Sequence, residues 1–107
     1  MSRRIFWLSV PLLATSAAMA APATGRVVFD EVCAACHLGG IGGAPAIRDR
    51  ENWRKRLQQG EGVLVNHAIN GIRAMPPRGG NAGLSDAEVA AAVKYMSDLG
   101  QSGWPEL

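Results

Sequence analysis

The run Cys33-Ala34-Ala35-Cys36-His37 narrows what this chain can become more than any other stretch, and it holds both of the chain's cysteines. A helix brings residues three apart onto one face. Two thiols at that spacing can add to the two vinyl groups along one side of a haem, with the following histidine beneath the iron as an axial ligand. Cys-x-x-Cys-His is the attachment signature of c-type haem. Two other chemistries use the same letters. A thioredoxin-like redox pair requires a βαβ setting, and no convincing strand pattern occurs in the chain. A structural zinc requires four ligands. Cys33, Cys36, His37 and His67 would have to supply them all, without a second cysteine pair at the usual spacing.

The beginning of the chain fits the haem reading. Residues 1–20 run from Ser2-Arg3-Arg4 through the apolar stretch from Ile5 to Leu13 and end on Ala18-Met19-Ala20. A basic start, a short apolar stretch and an A-x-A-like cleavage site together make a secretory signal peptide. Ser9 and Pro11 interrupt the apolar stretch, which is also too short for a membrane span. The alternative is an uncleaved anchor. Attachment of c-type haem takes place outside the bacterial cytoplasm, so the expectation is a periplasmic protein with a signal at residues 1–20 and one domain at residues 21–107, without stable membrane insertion after cleavage.

Cleavage removes Arg3 and Arg4 and no acidic residue, leaving nine basic and nine acidic side chains. A neutral domain gives no reason to propose nucleic acid or an anionic membrane as a partner. The 87 residues that remain make a thin core, and domains of this size usually lean on disulfides, a metal or a cofactor. A bridge between Cys33 and Cys36 would close a loop too small to contribute much. A bound cofactor is then the expected stabilising device.

Helical periodicity dominates the rest. Residues 25–36 form a candidate helix, with Val28 and Val32, and Phe29 and Cys33, each four apart. Gly39, Gly40, Gly42 and Gly43 exclude regular structure in the next stretch. Asp49 or Asn52 is placed to cap a short helix running to Gln59 and stopped by Gly60. Glu61–Asn70 carries Leu64, Val65, Ala68 and Ile69 on one face and ends before Gly71. Residues 72–83 read as loop. Ser85-Asp86-Ala87-Glu88 is a capping box, followed at helical spacing by Val89, Ala92, Val93, Met96 and Leu99, with Gly100 as the expected stop.

A second axial ligand must come from far along the chain, and Met75, Met96 and His67 are the candidates. Met75 lies in a loop where a side chain can be aimed freely, and Pro76 and Pro77 stiffen the backbone around it. Met96 falls on the apolar face of the last helix, where methionine commonly fills core space. His67 follows the Leu64/Ala68 face by one step and is expected to face solvent. Met75 is the favoured ligand, with His67 or an open sixth position as the alternatives.

In the order of these features the chain resembles the class I monohaem c-type cytochromes, and among them the short bacterial cytochrome c-five group. The resemblance runs through Gly25 and Phe29, the Cys33–His37 motif, Gly43-Ala44-Pro45, Trp53, Leu64, Ala68, Gly71, Ala74-Met75-Pro76-Pro77, Gly79-Gly80, Leu84-Ser85-Asp86 and Tyr95-Met96. It implies an all-α class I cytochrome c fold, with about four short helices around one covalently attached haem c and its iron. Cys33 and Cys36 would hold the haem, and His37 and Met75 would be the axial metal ligands. It further implies that the Pro45 carbonyl orients His37, that Gly25 and Phe29 cross the last helix near Ala92 and Tyr95, and that Trp53 and Arg56 lie near a haem propionate. The bland alternatives are a core role for Trp53 and a solvated helix face for Arg54-Lys55-Arg56. Relatives often carry a second cysteine pair, which this chain lacks.

The implied function is a periplasmic carrier of single electrons through Fe(II)/Fe(III) haem, passing them between transient redox protein partners, a donor and an acceptor. No acid–base or nucleophilic constellation stands out, so the expectation is a carrier and not an enzyme. A haem c subunit of a larger dehydrogenase or sulfur-oxidising complex and a gas-binding haem sensor are the alternatives. The haem edge is expected between residues 39–43 and residues 75–80, inside a small apolar collar.

Overall fold

The computed structural model describes residues 3–12 and 24–102. The cleavage site at Ala18-Met19-Ala20 and the tail with Trp104-Pro105 lie outside the described residues. Residues 3–12 carry no regular structure, and their apolar side chains stand in solvent, Trp7 and Leu8 each 89% exposed.

The Thr24 side chain accepts a hydrogen bond from the Val27 N–H and opens α1 (Gly25–Val28). The chain stays helical through a π-helical turn, Phe29–Cys33, and into α2 (Ala34–His37). The expected helix is therefore present, reaches His37, and contains one widened turn in which the Ala34 N–H reaches back to the Phe29 carbonyl. A π turn holds one extra residue, so the side chains that follow are rotated by about 100° relative to an unbroken α-helix. Ile41–Gly43 then makes a kinked 3₁₀ turn where only irregular chain was expected.

Asp49, and not Asn52, caps α3 (Arg50–Leu57), its carboxylate accepting the Asn52 N–H at 3.2 Å. The helix α4 (Glu61–Asn70) has the bounds expected from its sequence. Gly71 follows at φ +82, and a Cβ there would stand 2.8 Å from the Met75 carbonyl oxygen and 2.9 Å from the Pro77 nitrogen. Only glycine lets the chain fold back this tightly into the segment that carries Met75. That segment has one isolated bridge, Ile72 to Met75, and a 3₁₀ turn, Pro77–Gly80.

The last helix, α5 (Asp86–Ser102), starts on the expected capping box: Ser85 N–H donates to Glu88 Oε1 at 3.0 Å and Glu88 N–H to Ser85 Oγ at 3.1 Å. It does not stop at Gly100. That residue is buried inside the helix, where a Cβ would meet the Trp53 side chain at 2.9 Å, and Arg50 holds the next turn by donating to the Gln101 carbonyl. Glycine here permits close packing of α5 on α3 instead of ending a helix.

Two apolar clusters form the core. Phe29, Ile47, Trp53, Met96 and Leu99 make one, and Ala68, Val89 and Val93 the other. The face of α5 contributes to both. The first helix crosses α5 at Gly25, with Phe29 and Tyr95 stacked at a tilt, ring centres 5.5 Å apart. Among the described residues no helix is long and apolar enough to cross a membrane.

The crossing yields a sharp test. A Cβ on Gly25 would overlap the Ala91 carbonyl oxygen and stand 2.6 Å from its carbon. Gly→Ala inside a helix normally gains up to about 1 kcal/mol. Here the obstacle is backbone, so the helices must part. We expect Gly25→Ala to destabilise the folded protein by about 3 kcal/mol, the upper range for overpacking, read as a lowered denaturant midpoint. A neutral or stabilising result would show that the crossing is loose.

Candidate functional site

The inner faces of the helices leave a cavity of about 240 Å³. Its floor and walls are mostly apolar, with Val28, Leu64, Ala68, Val89 and Val93 among them. Cys33, His37 and Met75 all line it. Cys36 is exposed and is not part of the lining, whereas Cys33 is half-buried. The two thiols are not equivalent: burial pushes the Cys33 thiol above its ordinary pKa, with a backbone hydrogen bond working against that rise.

His37 ends the first helical run, and its Nδ1 lies 3.0 Å from the Pro45 carbonyl oxygen. A carbonyl only accepts, so Nδ1 carries the proton and Nε2 keeps a lone pair. That is the form in which imidazole binds a metal, and a backbone carbonyl on the other nitrogen is the usual way of fixing it. Burial lowers the imidazole pKa. The Pro45 bond opposes that and the nearby Arg56 charge adds to it. Neutral imidazole is the favoured state. The Pro45 contact agrees with the family resemblance.

Met75 sits half-buried on the far loop, packed against the Ala68/Val89/Val93 cluster. Met96 is 5% exposed within the other cluster, although it also reaches the cavity wall. His67 departs from expectation: it is half-buried and lines the cavity. Trp53 has its indole N–H donating to the Ala46 carbonyl at 2.9 Å and its ring buried in the core, where it also borders the cavity. The run Arg54-Lys55-Arg56 divides, with Arg54 and Lys55 exposed and Arg56 half-buried on the cavity wall, its Nε donating to Asn52.

The charged side chains on the wall are Arg56, Arg73 and Arg78, with no carboxylate among them. Arg73 and Arg78 were not singled out from sequence. Both take left-handed backbone, φ 51 and 56, which no local pattern around an arginine announces.

These residues fit a haem. The cavity walls are mostly apolar, a neutral imidazole and a thioether border it, and a thiol stands at its edge. The guanidinium groups of Arg56 and Arg73 would supply counter-charge for carboxylate side chains of the ring. Zinc fits poorly: among the described residues no group of three or more His, Cys, Asp or Glu side chains is placed to hold a metal ion.

Comparison with known proteins points the same way. Residues 20–96 match the family model described as cytochrome C oxidase, cbb3-type, subunit III. A cytochrome c-555 from Chlorobaculum tepidum is 44% identical over 84 residues, covering 75% of this chain and 76% of that protein. A cytochrome c5 from Ectopseudomonas mendocina is 44% identical over 69 residues, covering 63% of this chain and 79% of the other. Among solved structures, a chain from an electron transfer complex of nitrite reductase with cytochrome c superposes with a TM-score of 0.68 at 38% identity, over 72% of this chain and 94% of that one.

Proposed function

The chain belongs to the cytochrome c family as a small class I monohaem cytochrome, whose cofactor is one covalently attached haem c with its iron, and from that premise we propose that it carries single electrons in the periplasm between transient redox protein partners. When bound, the haem supplies a one-electron Fe(II)/Fe(III) couple. In this reading Cys33 and Cys36 would hold the ring, and His37 and Met75 would supply the ligands to its iron. The His37–Pro45 bond fixes the imidazole in one tautomer and one orientation, so nothing about it has to rearrange between oxidation states. The apolar wall of Val28, Leu64, Ala68, Val89 and Val93 excludes water from the interior. Low polarity and a fixed ligand geometry both reduce reorganisation, which is what a carrier needs. Ligation by both His37 and Met75 would leave the iron without a site for a substrate, as a carrier requires and an enzyme or a gas sensor does not.

The observation that carries this reading is the shared cavity: a neutral imidazole from the first helix and a thioether from a loop 38 residues later border the same apolar space. The structural neighbour named for its complex with nitrite reductase supports a redox protein as partner. Leu38 and Ile41, 49% and 62% exposed beside His37, supply apolar surface for a short-lived contact. Export is supported by the pattern of residues 1–20 and by the solvent-facing side chains of residues 3–12, which add nothing to the core.

One titration tests the proposal. A purified carrier follows a one-electron Nernst curve, and its ferrous form does not take up carbon monoxide. Ready carbon monoxide binding by the unmodified protein would replace the carrier with a ligand-binding haem protein.

A further inference from the structure

We propose that Arg78 is a positioning residue for Met75, a brace that keeps the loop carrying the thioether closed against α5; this rests on Met75 being the sixth ligand. Arg78 belongs to the 3₁₀ turn Pro77–Gly80, three residues beyond Met75. Its guanidinium donates from one terminal nitrogen to the Leu84 carbonyl at 3.0 Å and from the other to Asp86 Oδ1 at 2.6 Å. Leu84 and Asp86 flank Ser85, where the capping box opens α5. One side chain therefore ties the Met75 loop to the start of the longest helix. The opposite side of the turn rests on the first helical run, where a Cβ on Gly79 would stand 3.0 Å from Val32. The loop is held between two elements, and the α5 side is held by directed bonds.

Three features separate this arrangement from an ordinary surface ion pair, which contributes little. The Arg78 side chain is only 26% exposed and lines the haem cavity, although its partner Asp86 is 71% exposed. The guanidinium uses two prongs on two different acceptors, which fixes its direction as well as its distance. Its backbone is left-handed at φ 56, a conformation glycine adopts freely and arginine only under strain. A cation at the N-terminal end of a helix also opposes the helix dipole, and Asp86 in the first turn offsets that. Neither the turn nor the helix gains from arginine by itself. The gain lies in joining them.

The consequence is a closing equilibrium for the Met75 loop. An external ligand binds iron only when the thioether is away, so its apparent affinity scales with the open fraction. The probe is imidazole added to the ferric holoprotein, followed by loss of the weak sulfur–iron band at the red edge of the spectrum. Arg78→Gln removes both bonds and is expected to tighten imidazole binding about tenfold, the low end for charge-assisted bonds after allowance for the exposed partner. Asp86→Asn weakens only one prong and should give a smaller change of the same sign. Arg78→Lys keeps the charge with one point of attachment and should fall between Arg78→Gln and the unmodified protein. Asp49→Ala removes the N-cap of α3, leaves the Arg78 bonds intact, and serves as a control for general destabilisation. It should leave imidazole affinity within about twofold while lowering thermal stability. If Arg78→Gln leaves imidazole affinity unchanged, or if Asp49→Ala raises it equally, the brace is refuted. If the band survives Met75→Ala, the ligand assignment itself fails and takes the brace with it.

Discussion

Met75→Ala is expected to abolish the sulfur–iron band, to open the iron to imidazole and carbon monoxide, and to lower the reduction potential. A thioether favours ferrous over ferric iron, and each tenfold loss of that preference lowers a one-electron potential by about 59 mV. The fall should be on the order of 100 mV or more. The loop position of Met75, half-buried on the cavity wall, lets alanine replace it without disturbing a helix. Met96→Leu is the counterpart. Met96 is packed among Phe29, Ile47, Trp53 and Leu99, and a volume-conserving swap there costs less than about 1.5 kcal/mol. It should keep the band and the potential. The opposite pattern, with the band lost in Met96→Leu and kept in Met75→Ala, would reverse the assignment.

Replacement of Cys33 and Cys36 by alanine together should abolish holoprotein, and the polypeptide recovered should be largely unfolded by circular dichroism. The cavity of about 240 Å³ lies between the two apolar clusters, with Trp53 and Met96 bordering it from one and Ala68, Val89 and Val93 from the other. Without the ring between them, these apolar walls face a cleft partly open to solvent, and the hydrophobic surface that haem would cover stays in contact with water. A domain this small has a total stability near the lower end of about 5–15 kcal/mol. Haem filling is therefore not an accessory to the fold. Single replacements should also cut the yield, less severely, because one thioether can still tether the ring. Normal folding of the double variant would show that the polypeptide core suffices.

Much of this protein was legible in its sequence wherever the controlling interactions are short-range. The Cys33–His37 spacing states the haem chemistry in five residues. The bounds of α4 follow from Gly60 and Gly71, and the start of α5 from the reciprocal bonds of Ser85 and Glu88, each boundary decided by residues within a few positions of it. The buried stripe Val89, Ala92, Val93, Met96 and Leu99 is the 3.6-residue period written out.

Where the outcome depends on what another element brings up against a residue, only the tertiary structure decided it. Gly100 reads locally as a helix stop, but Trp53, 47 positions away, turns it into a packing surface. The Trp53 indole spends its N–H on Ala46 because the loop before α3 folds back under the ring. The π turn at Phe29–Cys33 has no signature in apolar periodicity, yet it sets the direction of every side chain after it, His37 included. His67 borders the cavity, which its one-step offset from the Leu64/Ala68 face does not announce. Arg78 is one more arginine in a loop until the start of α5 meets it with a carbonyl and a carboxylate. Caps and periodicities are encoded within a turn or two of helix; the direction of a side chain across a cavity is an outcome of how whole elements pack, and a single sequence does not carry it.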